Sequence, residues 1–173
     1  MQIFKLYNIL ITLAILFVCQ GCDSLDNDRI PNMPVNISLS DIGMWNAYGV
    51  SGFGSYRIFT ISPRQPSNFP YTGKNYTGFG GVLLIEGLDP FAGSTSVPMA
   101  YDIACPVERK AEIKIHIEPD TYKAVCNQCG SVFDVTMQRG APVDGPAASG
   151  EYKCGLKIYN CISTASGGYV ISN

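Results

Sequence analysis

The chain has 173 residues, a formal net charge of -2 and a single histidine, and it nowhere clusters its lysines and arginines. Phosphate backbones need such a cluster, so nucleic acid is not an expected partner. With 18 glycines, 11 prolines, 10 tyrosines and 8 phenylalanines, the composition favours many short strands joined by tight turns and argues against a helical protein.

The first residues carry one basic side chain, Lys5, then an apolar run from Ile9 to Val18 broken only by Thr12, then the small-residue step Gly21-Cys22. That layout predicts a secretory signal segment over residues 1–21. It is too short for a membrane span, which takes ~20 apolar residues, and Asp23 ends it. Gly21-Cys22 resembles the lipobox of bacterial lipoproteins, with Cys19 standing where an aliphatic residue is usual. The resemblance implies acylation of Cys22 and an exported protein anchored at the outer membrane or cell surface, whose membrane contact is its acyl chains. The alternative is a soluble secreted protein in which Cys22 is an ordinary cysteine. Asp23, Asp26 and Asp28 resemble the acidic surface-export signal of some Gram-negative lipoproteins, although carboxylates in a polar tether are more often merely solvated.

Residues 22–34 contain Pro31 and Pro34 and show no periodicity, which reads as an acidic tether. The remainder, 35–173, suffices for one sizeable core but not comfortably for two. Strands are expected at Val35–Leu39, Tyr56–Ile61, Val82–Ile85 and Met99–Ala104. Turn-rich loops separate them at Pro63-Arg64-Gln65-Pro66, Pro70-Tyr71-Thr72-Gly73 and Gly93-Ser94-Thr95-Ser96. Gly78-Phe79-Gly80-Gly81 precedes a strand where a phosphate loop would need a helix, so it is a turn. Farther on, Ile113, Ile115 and Ile117 share one face while Lys114 and His116 share the other. Glu118-Pro119-Asp120-Thr121 turns the chain, Tyr122–Val125 returns, and that hairpin delivers Cys126. Ser131–Val135 continues as strand, Gly140 to Ala147 is expected to be a rigid irregular loop, and Gly155–Asn160 and Tyr169–Ser172 close the chain. No Gly-x-Ser-x-Gly occurs and His116 has no evident nucleophile beside it, so hydrolase chemistry has no support. Trp45 and Tyr48, Tyr56, Tyr71 and Tyr76 could form a sugar- or protein-binding face, but in a β domain most such rings are core or edge packing.

Five cysteines fall in the domain: Cys105, Cys126, Cys129, Cys154 and Cys161. An odd number cannot all pair within one chain, and export favours one or two disulfides with a spare thiol. If residues 154–161 form one extended strand, its ends lie ~23 Å apart, far beyond the ~6 Å a disulfide tolerates. Cys126-Asn127-Gln128-Cys129 alone could be a redox dithiol, but such pairs draw on a helix N-terminus and a strand is expected next.

Cys105-Pro106-Val107, then Cys126-Asn127-Gln128-Cys129-Gly130-Ser131-Val132-Phe133-Asp134, then Gly140 to Ala147 with its Gly-Pro-Ala, resembles the Rieske family in order and spacing. The resemblance runs from about Tyr101 to Tyr159. It implies an all-β antiparallel sandwich or barrel with a small loop-rich cluster-binding subdomain over 101–149. In that family each of two loops supplies one thiolate to one iron and one imidazole to the other iron of a [2Fe-2S] cluster. Carried over, Cys105 and Cys126 match the thiolates, Val107 stands where the first histidine belongs, and Cys129 stands where the second does.

Three states of the site follow. A cluster could survive with a fourth donor such as Cys154 or Cys161, at a lower potential than an ordinary Rieske centre. Zinc could bind Cys105, Cys126 and Cys129 plus another donor as a structural staple. Otherwise no cofactor is held and the fold serves as a binding or structural module for an unknown protein partner. Val107 cannot ligate, which favours this last reading, and no enzymatic activity is expected. Labelled palmitate is expected to enter the protein and to be lost in Cys22→Ala; incorporation that survives the substitution would refute the lipid anchor.

Overall fold

Val82, Leu83, Leu84 and Ile85 are all fully buried because each face of their strand has its own core: Val82 and Leu84 on one side, Leu83 and Ile85 on the other. That wall organises the molecule. The computed structural model describes residues 25–88, 96–149 and 153–173. The signal segment, Cys19, Cys22 with its expected acylation, Asp23 and the turn residues Gly93-Ser94-Thr95 lie outside the described residues.

The strands are β1 (Val35–Asp41), β2 (Tyr56–Phe59), β3 (Tyr76–Thr77), β4 (Val82–Leu88), β5 (Ser96–Asp102), β6 (Ile115–Ile117), β7 (Ala124–Cys126), β8 (Val132–Asp134), β9 (Ala141–Asp144), β10 (Ile158–Ser163) and β11 (Gly167–Ser172). Seven form an antiparallel sheet in the order β2-β4-β5-β10-β11-β1-β3, and four form a second sheet in the order β6-β7-β8-β9. Among the described residues 42% are strand and 8% helix, and the larger sheet curls into a nearly closed, barrel-like sandwich, so the all-β expectation holds.

One core fills the curl of the large sheet around Ile37, Leu39, Phe59, Leu84 and Ile171. The other joins β4 and β5 to the small sheet and includes Leu83, Tyr101, Ile115, Phe133, Val135 and the cysteines 105, 126 and 154. Backbone bonds seat the small sheet: the Ile115 amide donates to the Ile103 carbonyl at 2.8 Å, and the Leu88 amide to that of Thr136 at 2.7 Å. The Tyr101 hydroxyl donates to the Val135 carbonyl at 3.2 Å.

Most expected strands are present within a few residues of their expected limits. Gly140 to Ala147 differs from the expected irregular loop, since it holds β9 and a one-turn helix, α2, begun by Pro146. Pro142 is tolerated because β9 is an edge strand that spares its missing donor, and Pro146 at the first helical position loses an amide that would have no intrahelical partner. A second helix, Ile42–Tyr48 and here α1, was not expected. Asp41 caps it by accepting from the Met44 amide at 2.9 Å, but two turns are too short to show a helical period. The described part of the acidic tether, residues 25–34, lies against the domain. Ile30 is buried, the Asp26 amide donates to the Lys153 carbonyl at 3.3 Å, and Lys157 Nζ meets Asp28 Oδ1 at 2.8 Å.

The glycine-rich segment before β4 is a turn, and its amides hold an anion from the protein itself. Fully buried Asp102 accepts from the amides of Phe79 (2.8 Å), Gly80 (3.0 Å) and Ala104 (2.7 Å) and from the Tyr159 hydroxyl (2.5 Å). Burial pushes its carboxyl up, against the pull of those donors. Asp102→Ala strands several buried donors and is expected to cost about 3 kcal/mol or more in chemical denaturation. A loss under 1 kcal/mol would show that the network adds little.

Candidate metal centre

Two hairpin tips carry the cysteines, and the same turn closes both. The Cys105 carbonyl accepts from the amide of Arg109, four residues on, at 2.9 Å; the Cys126 carbonyl accepts from that of Gly130, again four on, at 2.8 Å. The fifth residue of each turn is left-handed, Arg109 at φ 56° and Gly130 at φ 71°. Glycine meets that demand without strain, whereas arginine must be held there. Arg109 is anchored by its Nε, which donates to the Arg29 carbonyl at 3.1 Å.

The turns converge. The sulfurs of Cys105, Cys126 and Cys129 all lie within 4.8 Å of one another, and Cys105 Sγ is 3.6 Å from Cys129 Sγ. Cys105 and Cys126 are fully buried, while Cys129 is partly exposed at the surface of the group. Burial and the Cys126 thiol push the Cys105 thiol up, against the amides of Glu108 and Val107, which point at its sulfur. Burial also pushes Cys129 up, but the Ser131 hydroxyl and amide and the thiols of Cys105 and Cys126 outweigh it, and the net shift is downward.

Buried Ser131 locks the second loop to its neighbours. Its carbonyl accepts from the Cys126 amide at 2.9 Å, and its hydroxyl accepts from the Ala147 amide at 3.0 Å and lies 3.2 Å from Cys129 Sγ. The chain of the Gly-Pro-Ala segment touches the same loop at Gly145, where a Cβ would stand 2.6 Å from the Gly130 carbonyl oxygen; only glycine allows that approach. In the sequence Ser131 entered only as part of the Cys-Gly-Ser run, and its contacts to three segments had no separate signal.

The other expected site residues divide clearly. Val107 packs against the buried core and offers no donor. Cys154 shares that core, but its sulfur is not among the three; its amide donates to the Ala147 carbonyl at 3.1 Å, and burial pushes its thiol up against the pull of Arg29. Cys161 belongs to β10 and packs against the other core, which removes it as a fourth donor. Its thiol is pushed up to about 12 by burial and Glu86. His116 is half-exposed, 3.9 Å from Glu118, and takes no part. All five described cysteines are free thiols, and Cys154 precedes β10, so 154–161 is not one strand.

These residues do not fit an ordinary two-iron cluster. Neither imidazole position holds an imidazole, and the three sulfurs crowd round one point, whereas two bridged irons would need them split between two. A tetrahedral ion with ~2.3 Å bonds to sulfur sets its ligands about 3.8 Å apart, close to the 3.6 Å between Cys105 and Cys129 and within the 4.8 Å that bounds all three sulfurs. No family model, curated protein or solved structure matches the chain.

In the folded protein with any metal removed by chelator, iodoacetamide should modify Cys129 first and Cys161 much more slowly, leaving Cys105, Cys126 and Cys154 until the protein unfolds. Peptide mass spectrometry reads the order; early labelling of Cys105 or Cys126 would contradict the burial described.

Proposed function

We propose that this is an exported, lipid-anchored structural module of Rieske-like design in which the two-iron site has become a site for one thiolate-bound zinc ion. The mutual approach of the sulfurs of Cys105, Cys126 and Cys129 within 4.8 Å carries the reading. Soft thiolates in near-tetrahedral spacing suit zinc, which has no redox chemistry and acts as a staple. Such a staple would join the two loops where Ser131 and Gly145 already bring the Gly-Pro-Ala segment against them. The reading includes no catalytic step. Export and acylation rest on the N-terminal pattern ending at Cys22.

A second reading has its own observation. At 3.6 Å, Cys105 and Cys129 need only a small approach to form a disulfide in an oxidising compartment.

Purified from membranes without chelator, the protein should be colourless and carry about one zinc per chain. Because its cores do not depend on the metal, chelation should lower its stability by about 3–4 kcal/mol, as for an ion at 100 to 1,000 times its Kd, without unfolding it. Iron and acid-labile sulfide near two per chain would replace the zinc reading with the cluster. Absence of metal together with a Cys105–Cys129 disulfide in peptide maps would replace it with the second reading.

A further inference from the structure

Three sulfurs leave a tetrahedral ion one ligand short, and the matched turns say where to look. Each runs from a cysteine carbonyl to an amide four residues on, with a left-handed fifth residue: Cys105-Pro106-Val107-Glu108-Arg109 and Cys126-Asn127-Gln128-Cys129-Gly130. Superposed position by position, Cys105 falls on Cys126, Arg109 on Gly130, and Glu108 on Cys129.

From this correspondence we propose that Glu108 is the fourth ligand, its carboxylate completing a three-thiolate, one-carboxylate zinc site with approximate twofold symmetry between the two turns. The inference rests on the zinc reading above and names the donor that reading lacks.

Several observations favour it. Carboxylate oxygen is an accepted zinc donor at ~2.0–2.2 Å. The Glu108 amide already points at the Cys105 sulfur, so the turn wraps that ligand. Glu108 is partly buried, like Cys129. Its carboxylate is not among the atoms within 4.8 Å of one another, so the proposed ligation requires it to close on the ion by side-chain rotation. Holding arginine at φ 56° with a bond to the Arg29 carbonyl keeps the first turn in the form that glycine gives the second. The rival donor, Cys154, is fully buried, its backbone is bonded to Ala147 and, by a bridge, to Asp26, and its sulfur lies outside the group of three.

The test uses the full chain with zinc affinity measured by chelator competition and Co(II) absorption in place of zinc. Glu108→Gln should weaken zinc binding by at least the ~10–100-fold that outer hydrogen-bond partners of a metal ligand are worth, and leave the intensity of sulfur-to-cobalt charge transfer unchanged. Glu108→Cys should bind and add about one third to that intensity, a fourth thiolate joining three; Cys154→Ser should leave both readouts as they were. Wild-type affinity in Glu108→Gln together with no added intensity in Glu108→Cys would remove Glu108 while leaving the zinc site standing, and loss of binding in Cys154→Ser would give the place to Cys154. A wild-type chain that takes up neither zinc nor cobalt would overturn the zinc reading and this inference together.

Discussion

Sulfurs as close as Cys105 and Cys129, 3.6 Å apart, cannot both be anions without a cation between them. At an effective dielectric of about 20 the repulsion between two such charges is ~4–5 kcal/mol. The site answers by dividing roles. Cys129, partly exposed and bonded to Ser131, is shifted toward thiolate, while buried Cys105 is shifted toward thiol and sits beside it. Such a trio is stable as one proton-sharing group, as ligands to a positive ion or with two of its sulfurs oxidised to a disulfide, and every feature that brings the loops together bears on that choice.

What brings them together is a sheet of very short strands whose purchase comes from the core beneath it. β6, β7 and β8 have three residues each, too few to persist alone. Their inward side chains, Ile115, Ile117, Ala124 and Phe133, join the core made by Leu83, Ile85 and Tyr101 on the central strands of the large sheet. The continuation of β5 then becomes the first cysteine loop, and the end of β7 becomes the second. The hairpin geometry of β6 and β7, with Ile115 opposite Cys126, sets the second loop at the height of the first. The Arg109 contact ties the first loop to residues 25–34, the stretch leading back toward Cys22. In this way the N-terminal segment and the thiols share a structural element.

The strands were legible in the residues because a two-residue period, turn formers and β-branched runs are local signals. Val82 to Ile85 reads as buried without alternation for the reason seen in the structure, a core on each side. Local signals failed where the environment decided. Pro142 argues against a strand until its position at a sheet edge is known, and α1 has too few turns to reveal a period. Residues 25–34 look like a tether because their attachments are single contacts to distant residues, Lys153, Lys157 and Arg109, which no periodicity announces. The grouping of the three site cysteines is what the Rieske resemblance implies, and the structure brings their sulfurs together. Excluding Cys161 needed the fold, since only sheet pairing shows that it faces the other core.

On the proposed assignment, Glu108 moves the first loop's second donor one residue from the register that the Rieske resemblance implies. The Rieske pattern places the second donor of the first loop two residues after the cysteine, at Val107, and the side chain there packs on the core. The turn itself has a period of its own: with an amide bonded back over four residues, the residue three after the cysteine returns to the cysteine's side, as Cys129 does after Cys126. A signal in the sequence existed, since Cys105 to Glu108 repeats the spacing of Cys126 to Cys129. It was hidden because a carboxylate beside an exposed arginine reads as ordinary surface. Two loops whose donors both sit at the first and fourth positions converge on one point, whereas a two-residue offset in one loop and a three-residue offset in the other splay their donors over two. On the proposed assignment, a shift of one residue in ligand register would be enough to separate a single-ion site from a two-iron one on such a pair of hairpins.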